Sequence, residues 1–112
     1  MEIVNSAAGD VMVVAISGNV DGLTAESLLR ALSERVAEGV SRLVVDCVAL
    51  EYTSSAGLRS LLSAVKLTRQ AGGDLRLAAV QPPVMRVLEL SGFTSILKHF
   101  PDVPGAVSSF SA

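Results

Sequence analysis

Hydrophobic positions along the chain fall into short blocks whose period changes from block to block. Residues 3–5 and 11–17 are β-branched-rich apolar runs separated by AAGD, whose Gly9-Asp10 suits a hairpin turn, so they predict two antiparallel strands. After the break SGNVDG the period becomes helical: Ala25, Leu28, Leu29, Leu32 and Val36 share a face, Thr24 offers an N-cap, and Gly39 ends the pattern. The outer face of this helix carries Glu26, Arg30, Glu34 and Glu38, with Glu26 and Arg30 spaced for an i,i+4 pair and the stripe as a whole read as a solvated surface. Residues 42–47, with LVV at their centre, are apolar on both sides, as an inner strand covered above and below should be.

From Gly57 onward Leu58, Leu61, Leu62 and Val65 mark one face of a second helix and Arg59, Ser63, Lys66 and Gln70 the other, with Gly72-Gly73 as its end. Residues 74–80 read as a strand in which Leu75 and Leu77 alternate with Asp74 and Arg76. Pro82-Pro83 opens a third helix that closes at Ser91-Gly92, with Phe93 folding back on its last turn. Residues 96–100 suit a short edge strand, and the stretch from Pro101 a weak terminal helix or a frayed end. The expected core is Val13, Ala15, Leu28, Leu32, Val44, Val45, Leu58, Leu61, Leu62, Leu77 and Leu88.

This β-β-α-β-α-β-α order contains β-α-β units, whose right-handed crossovers build a parallel sheet. The expectation is therefore an α/β fold: a mixed sheet of four or five strands with an antiparallel edge and helices packed on it, in one domain spanning residues 1–112. Sites in such sheets collect beyond the carboxyl ends of the parallel strands. SGNVDG, VALEYTSS and QPP should meet there, which places Ser54 and Ser55 on that edge with Asp21 as a neighbour.

Composition narrows the function. Half of the 112 residues are hydrophobic and 18% charged, enough apolar material for a core, while nine Lys/Arg against eleven Asp/Glu give no basic footprint for nucleic acid. The longest apolar runs, such as VMVVAI, stop far short of the roughly eighteen residues that span a bilayer, and MEIVNS has neither the basic start nor the apolar run of an export signal. A single Cys47 has no intrachain partner and reads as a small buried residue in a reducing cytoplasm.

The stretch EYTSSAGLRSLL places more hydroxyls at a helix start than a cap requires. A hydrolase reading lacks partners: the one histidine, His99, lies far along the chain, and Ser54-Ser55 is not framed as G-x-S-x-G. One Cys and one His do not make a metal site, and no phosphate-cradling glycine motif is present. Ser54 suits the N-cap, which accounts for one serine, and Ser55 then falls at the first helical position with its hydroxyl free. Gly57 costs about 1 kcal/mol relative to alanine in a helix. It either admits a close partner or relieves crowding against the sheet.

DCVALEYTSSAGLRSLL resembles the phosphosite segment of STAS domains of the bacterial anti-sigma-factor antagonist group, usually aromatic-x-D-S-[ST]-G-L. ISGNVDGLTAESL is similar to the family's TGELDxxTAxxL, QAGGDLRL to QxGGxxxL, and PPVMRVLELSGF to PxVxxLFxxSGL, so the resemblance spans nearly the whole chain. It implies a phosphorylatable Ser55, a structural Gly57 and an acidic neighbour in Asp21; Ser54 stands where an aspartate is usual and Ala56 where a second hydroxyl is. It further implies a cytoplasmic protein without catalytic activity or cofactor. Its partners would be an anti-sigma factor that is also a serine kinase, which it binds when unphosphorylated, and a serine phosphatase. The docking surface would comprise Asp21, Thr24, Ser55, Arg59 and Ser63. Dispersed surface charge suggests a monomer when free. STAS domains also serve as docking subunits of lipid-exporting ABC transporters, the alternative role.

Overall fold

In the computed structural model, which describes residues 1–111, the sheet is organised around one long strand. Strand β2 (Val11–Val20) pairs antiparallel with β1 (Glu2–Ala8), from Glu2 opposite Ser17 to Ala8 opposite Val11, and Gly9 turns the chain between them at a φ of 65°. Its first half also pairs in parallel with β3 (Arg42–Asp46), and β5 (Asp74–Ala78) and β6 (His99–Phe100) follow in parallel beyond β3. The strand order is β1-β2-β3-β5-β6, so β3 is central, as its two-sided apolar run predicts.

The sheet has six strands, one more than the upper expectation. The addition is β4 (Leu50–Thr53), which lies in a stretch expected to be loop and pairs in parallel with the far end of β2, across a register shift between Gly18 and Asn19. The same pairing draws SGNV into β2, where a break was expected. Only a partner strand stabilises EYT as extended chain, and a local pattern does not reveal that partner.

Helices α1 (Ala25–Ala37), α2 (Ser55–Gln70) and α3 (Pro82–Leu90) pack on one face over Val14, Ile16, Leu43, Val45, Leu75 and Leu77. Burying Leu28 and Leu32 of α1 and Leu58 and Leu61 of α2 contributes about 1.5–3 kcal/mol each. The other face is smaller: Val11, Val13, Val44 and Ala78 are covered by α4 (Val103–Ser108), which is capped by the Asp102 side chain accepting from Gly105 N–H at 2.7 Å.

Nine of the expected core residues are buried, whereas Ala15 and Leu62 are only half-buried. VMVVAI is apolar at every position, so its face toward the helices is not readable from alternation. The three large helices chose Val14 and Ile16. Glu26 and Arg30 form no ion pair among the described residues; on α1 it is Arg35 that reaches Glu38, at 2.8 Å. Asp74, at the start of β5, is buried between two arginines, Arg69 at 3.0 Å and Arg76 at 3.1 Å. Arg76 also donates to Ser109 Oγ at 2.6 Å and lies 4.0 Å from the ring centre of Phe110, fastening the C-terminal segment to the sheet.

Candidate functional site

Val20 ends β2 and Thr53 ends β4 opposite each other in parallel register, so the two chains leave the sheet together. Ser54 N–H donates to Val20 C=O at 2.8 Å, which adds a last rung. Asp21 and Ser55 each follow a member of that bonded pair, and this juxtaposes the two residues singled out in the sequence. The third loop joins the same edge through Gln81, whose Nε2 donates to Val48 C=O at 2.7 Å.

Ser54 is extended, with φ −80° and ψ 171°, and its hydroxyl accepts from Gly57 N–H at 3.2 Å. It is the N-cap of α2. Ser55 is the first helical residue, exposed, and its hydroxyl makes no hydrogen bond among the described residues. Gly57 is buried, and a Cβ there would collide with Thr53 Oγ1 and lie 2.8 Å from Val20 Cγ1. Crowding against the sheet therefore accounts for this glycine, and the alternative of close approach by a partner at Gly57 falls away.

Asp21 closes the loop before α1. Its Oδ1 accepts from Leu23 N–H at 2.9 Å and Thr24 N–H at 3.0 Å, while Thr24 Oγ1 accepts from Asp21 N–H at 2.9 Å. Asp21 C=O accepts from Ala25 N–H at 2.9 Å, which closes the turn that leads into α1. This is a reciprocal arrangement closing the turn before α1; Thr24 is the N-cap residue, as expected, and its C=O accepts from Leu28 N–H at 3.0 Å, but its hydroxyl is turned back to Asp21 and caps nothing within α1. The Thr24 and Leu23 amide donors, with the Thr24 hydroxyl, hold the Asp21 carboxyl below its ordinary value of 3.8.

Arg59 is exposed and makes no ion pair among the described residues; Ser63 is half-buried and so lies at the margin of the helix's outer face. Sequence reading missed Ser60, buried on α2, whose hydroxyl donates to Ala25 C=O at 2.8 Å and ties the start of α1 to α2. The available signal was the run of small residues Gly57, Ser60, Ala64 and Thr68, which lets the helix approach closely. Tyr52 is 52% exposed on β4, while Phe93 packs against the core.

His99 lies on β6, separated from β2 by β3 and β5. Three strand spacings amount to roughly 14 Å, so no Ser55–His99 proton relay is geometrically available. A recess of about 390 Å³ on the carboxyl edge is lined by Val48, Ala49, Glu51, Gln81 and Pro83, with no nucleophile and base among them. Among the described residues no three His, Cys, Asp or Glu side chains converge as metal ligands, and no helix is long and apolar enough to cross a membrane. Cys47 is buried, and desolvation with the adjacent Asp46 pushes its thiol up to about 12.

A family model described as the STAS domain matches residues 2–106. A protein of Bordetella bronchiseptica named as an anti-sigma factor antagonist is 41% identical over 85 residues, 76% of this chain and 73% of its own length. The anti-sigma F factor antagonist of Paenibacillus polymyxa is 28% identical over 99 residues, 88% of this chain and 85% of its own. The crystal structure of an anti-sigma factor antagonist from Mycobacterium paratuberculosis superposes with a TM-score of 0.90 at 26% identity, covering 99% of this chain and 94% of that one.

Proposed function

The chain belongs to the STAS domain family, and from that premise we propose that it is an anti-sigma factor antagonist switched off by phosphorylation of Ser55. The observation that carries the switch is the pairing at one edge of an exposed, unengaged Ser55 hydroxyl at a helix start with the Asp21 loop. A phosphate on Ser55 adds about −1.5 to −2 charges, which the α2 dipole and free first-turn N–H groups accommodate, so the domain stays folded. An interface that must bury this dianion beside Asp21 loses affinity through desolvation and like-charge repulsion, by about 2–4 kcal/mol.

In this reading the partner is an anti-sigma factor that is also a serine kinase, and a serine phosphatase resets the switch. ATP and metal belong to those partners; residues 1–112 form one non-catalytic, cytoplasmic domain, monomeric when free, that carries no cofactor. The docking surface comprises Asp21, Thr24, Ser55, Arg59 and the margin at Ser63. Arg59→Glu weakens binding to an acidic partner surface without altering stability, because the side chain is exposed.

The test is incubation with the cognate kinase and ATP, followed by mapping of the product by mass spectrometry. A single phosphate on Ser55, with lost affinity and unchanged thermal stability, supports the switch. Ser55→Ala holds the binding-competent state, and Ser55→Asp mimics the phosphate in part, having one charge and a shorter reach. Modification at Ser54, or undiminished binding by the Ser55-phosphorylated form, rejects the switch and favours a docking subunit such as that of an ABC lipid transporter.

A further inference from the structure

We propose that Leu23 is the apolar anchor of the partner interface, inserted into an apolar pocket of the anti-sigma factor, and that Asp21 is the residue that positions it. This rests on the reading that the edge around Ser55 binds such a factor.

Leu23 is 91% exposed. A lone exposed leucine is ordinary on a protein surface, so exposure alone says little. Two further observations distinguish this one. First, its place: Leu23 follows Asp21 in the loop bonded through Val20 to Ser54, and Tyr52, half-exposed, stands opposite Asn19 on the same edge. Second, its backbone is fixed. Leu23 N–H itself donates to Asp21 Oδ1, the flanking Thr24 N–H donates to the same oxygen, and the next residue, Ala25, is tied to α2 by the Ser60 hydroxyl.

An apolar side chain projected from a backbone that is already ordered loses little freedom on docking, which is how a few residues come to dominate an interface. The same bonds recast Asp21. Its Oδ1 is occupied by loop amides, so its main contribution to binding is as an acceptor that holds Leu23 out, a task that asparagine shares. A residue acting by charge would not tolerate that exchange.

The experiment measures affinity by calorimetry for a purified anti-sigma factor of the serine-kinase type from the same organism. Leu23→Ala should weaken binding by about ten- to a hundred-fold with unchanged melting temperature. Leu90→Ala should have no effect; that leucine is 82% exposed but lies at the far end of α3, about 13 Å along the helix from Gln81. Asp21→Asn should bind as the wild type does, whereas Asp21→Ala should bind more weakly and lose hydrogen-exchange protection at Leu23 and Thr24. If wild-type binding is abolished by Ser55 phosphorylation yet untouched by Leu23→Ala, the anchor is wrong and the function reading stands. If Asp21→Asn binds as poorly as Asp21→Ala, Asp21 acts through charge and its positioning role is wrong. If the unmodified wild type does not bind, the function reading fails and the anchor with it.

Discussion

The backbone N–H of Ser54 donates to the carbonyl of Val20 across 2.8 Å, joining two segments that are 34 residues apart in the chain. This bond closes the β2–β4 ladder at the point where both chains turn into helices. It brings the Asp21 loop and the first turn of α2 onto one surface, and each of the following expectations concerns the supports of that surface or of the sheet beneath it.

The two adjacent serines should separate cleanly in stability measurements. Ser54→Ala removes the acceptor for Gly57 N–H and should cost about 1 kcal/mol in urea denaturation. Ser55→Ala removes an exposed hydroxyl with no hydrogen bond among the described residues and should stay within about 0.5 kcal/mol of wild type. Equal losses at both positions would contradict the capping assignment.

Gly57→Ala poses two opposed effects. Alanine favours the helix by about 1 kcal/mol, but its Cβ would lie 2.8 Å from Val20 Cγ1 and closer still to Thr53 Oγ1. Both neighbours are buried at the ends of paired strands and have little room to retreat. Overpacking, at about 1–3 kcal/mol, should therefore exceed the propensity gain, and the measured denaturation midpoint should fall.

Cys47 supplies a pH signature of the core. Its folded value of about 12 exceeds its ordinary value of 9.0, so the folded state retains a proton that the unfolded chain releases. The contribution is fully present below pH 9 and is lost as pH rises toward 12. The stability difference between wild type and Cys47→Ala should be constant at neutral pH and should shrink across that window. Alkylation of the native thiol at pH 8 should be slow, because the side chain is both buried and protonated.

Asp74→Ala should be among the costly substitutions outside the apolar core. It leaves the largely buried Arg76 without its carboxylate, at about 3 kcal/mol, and frees Leu75 N–H as well. Phe110→Ala removes the ring beneath Arg76 together with its packing against the smaller core and should cost about 1–3 kcal/mol, with the loss reported by exchange in α4 before the rest of the sheet.

What the chain determined by itself is whatever depends on neighbours in sequence. The helical spacing of Leu28 and Leu32, the glycine at the β1–β2 turn, the Ser54 cap and the consequent freedom of Ser55 all follow from residues within a turn of one another, and all are present in the fold. The quoted motif blocks also sufficed to place the chain among STAS domains, which the family match across residues 2–106 shows. The tertiary structure decided everything that needs a remote partner. EYT became a strand because the end of β2 lay beside it, and Val14 and Ile16 rather than Ala15 met the helices because an evenly apolar strand carries no preference of face. Gly57 was required by Val20 and Thr53, and the Thr24 hydroxyl, at the N-cap position, was drawn back to Asp21 N–H instead of capping α1 because the chain leaving β2 turns there. Hydrogen bonds and steric limits act over a few ångströms, and across sequence separations of this size only the folded chain brings such groups within reach.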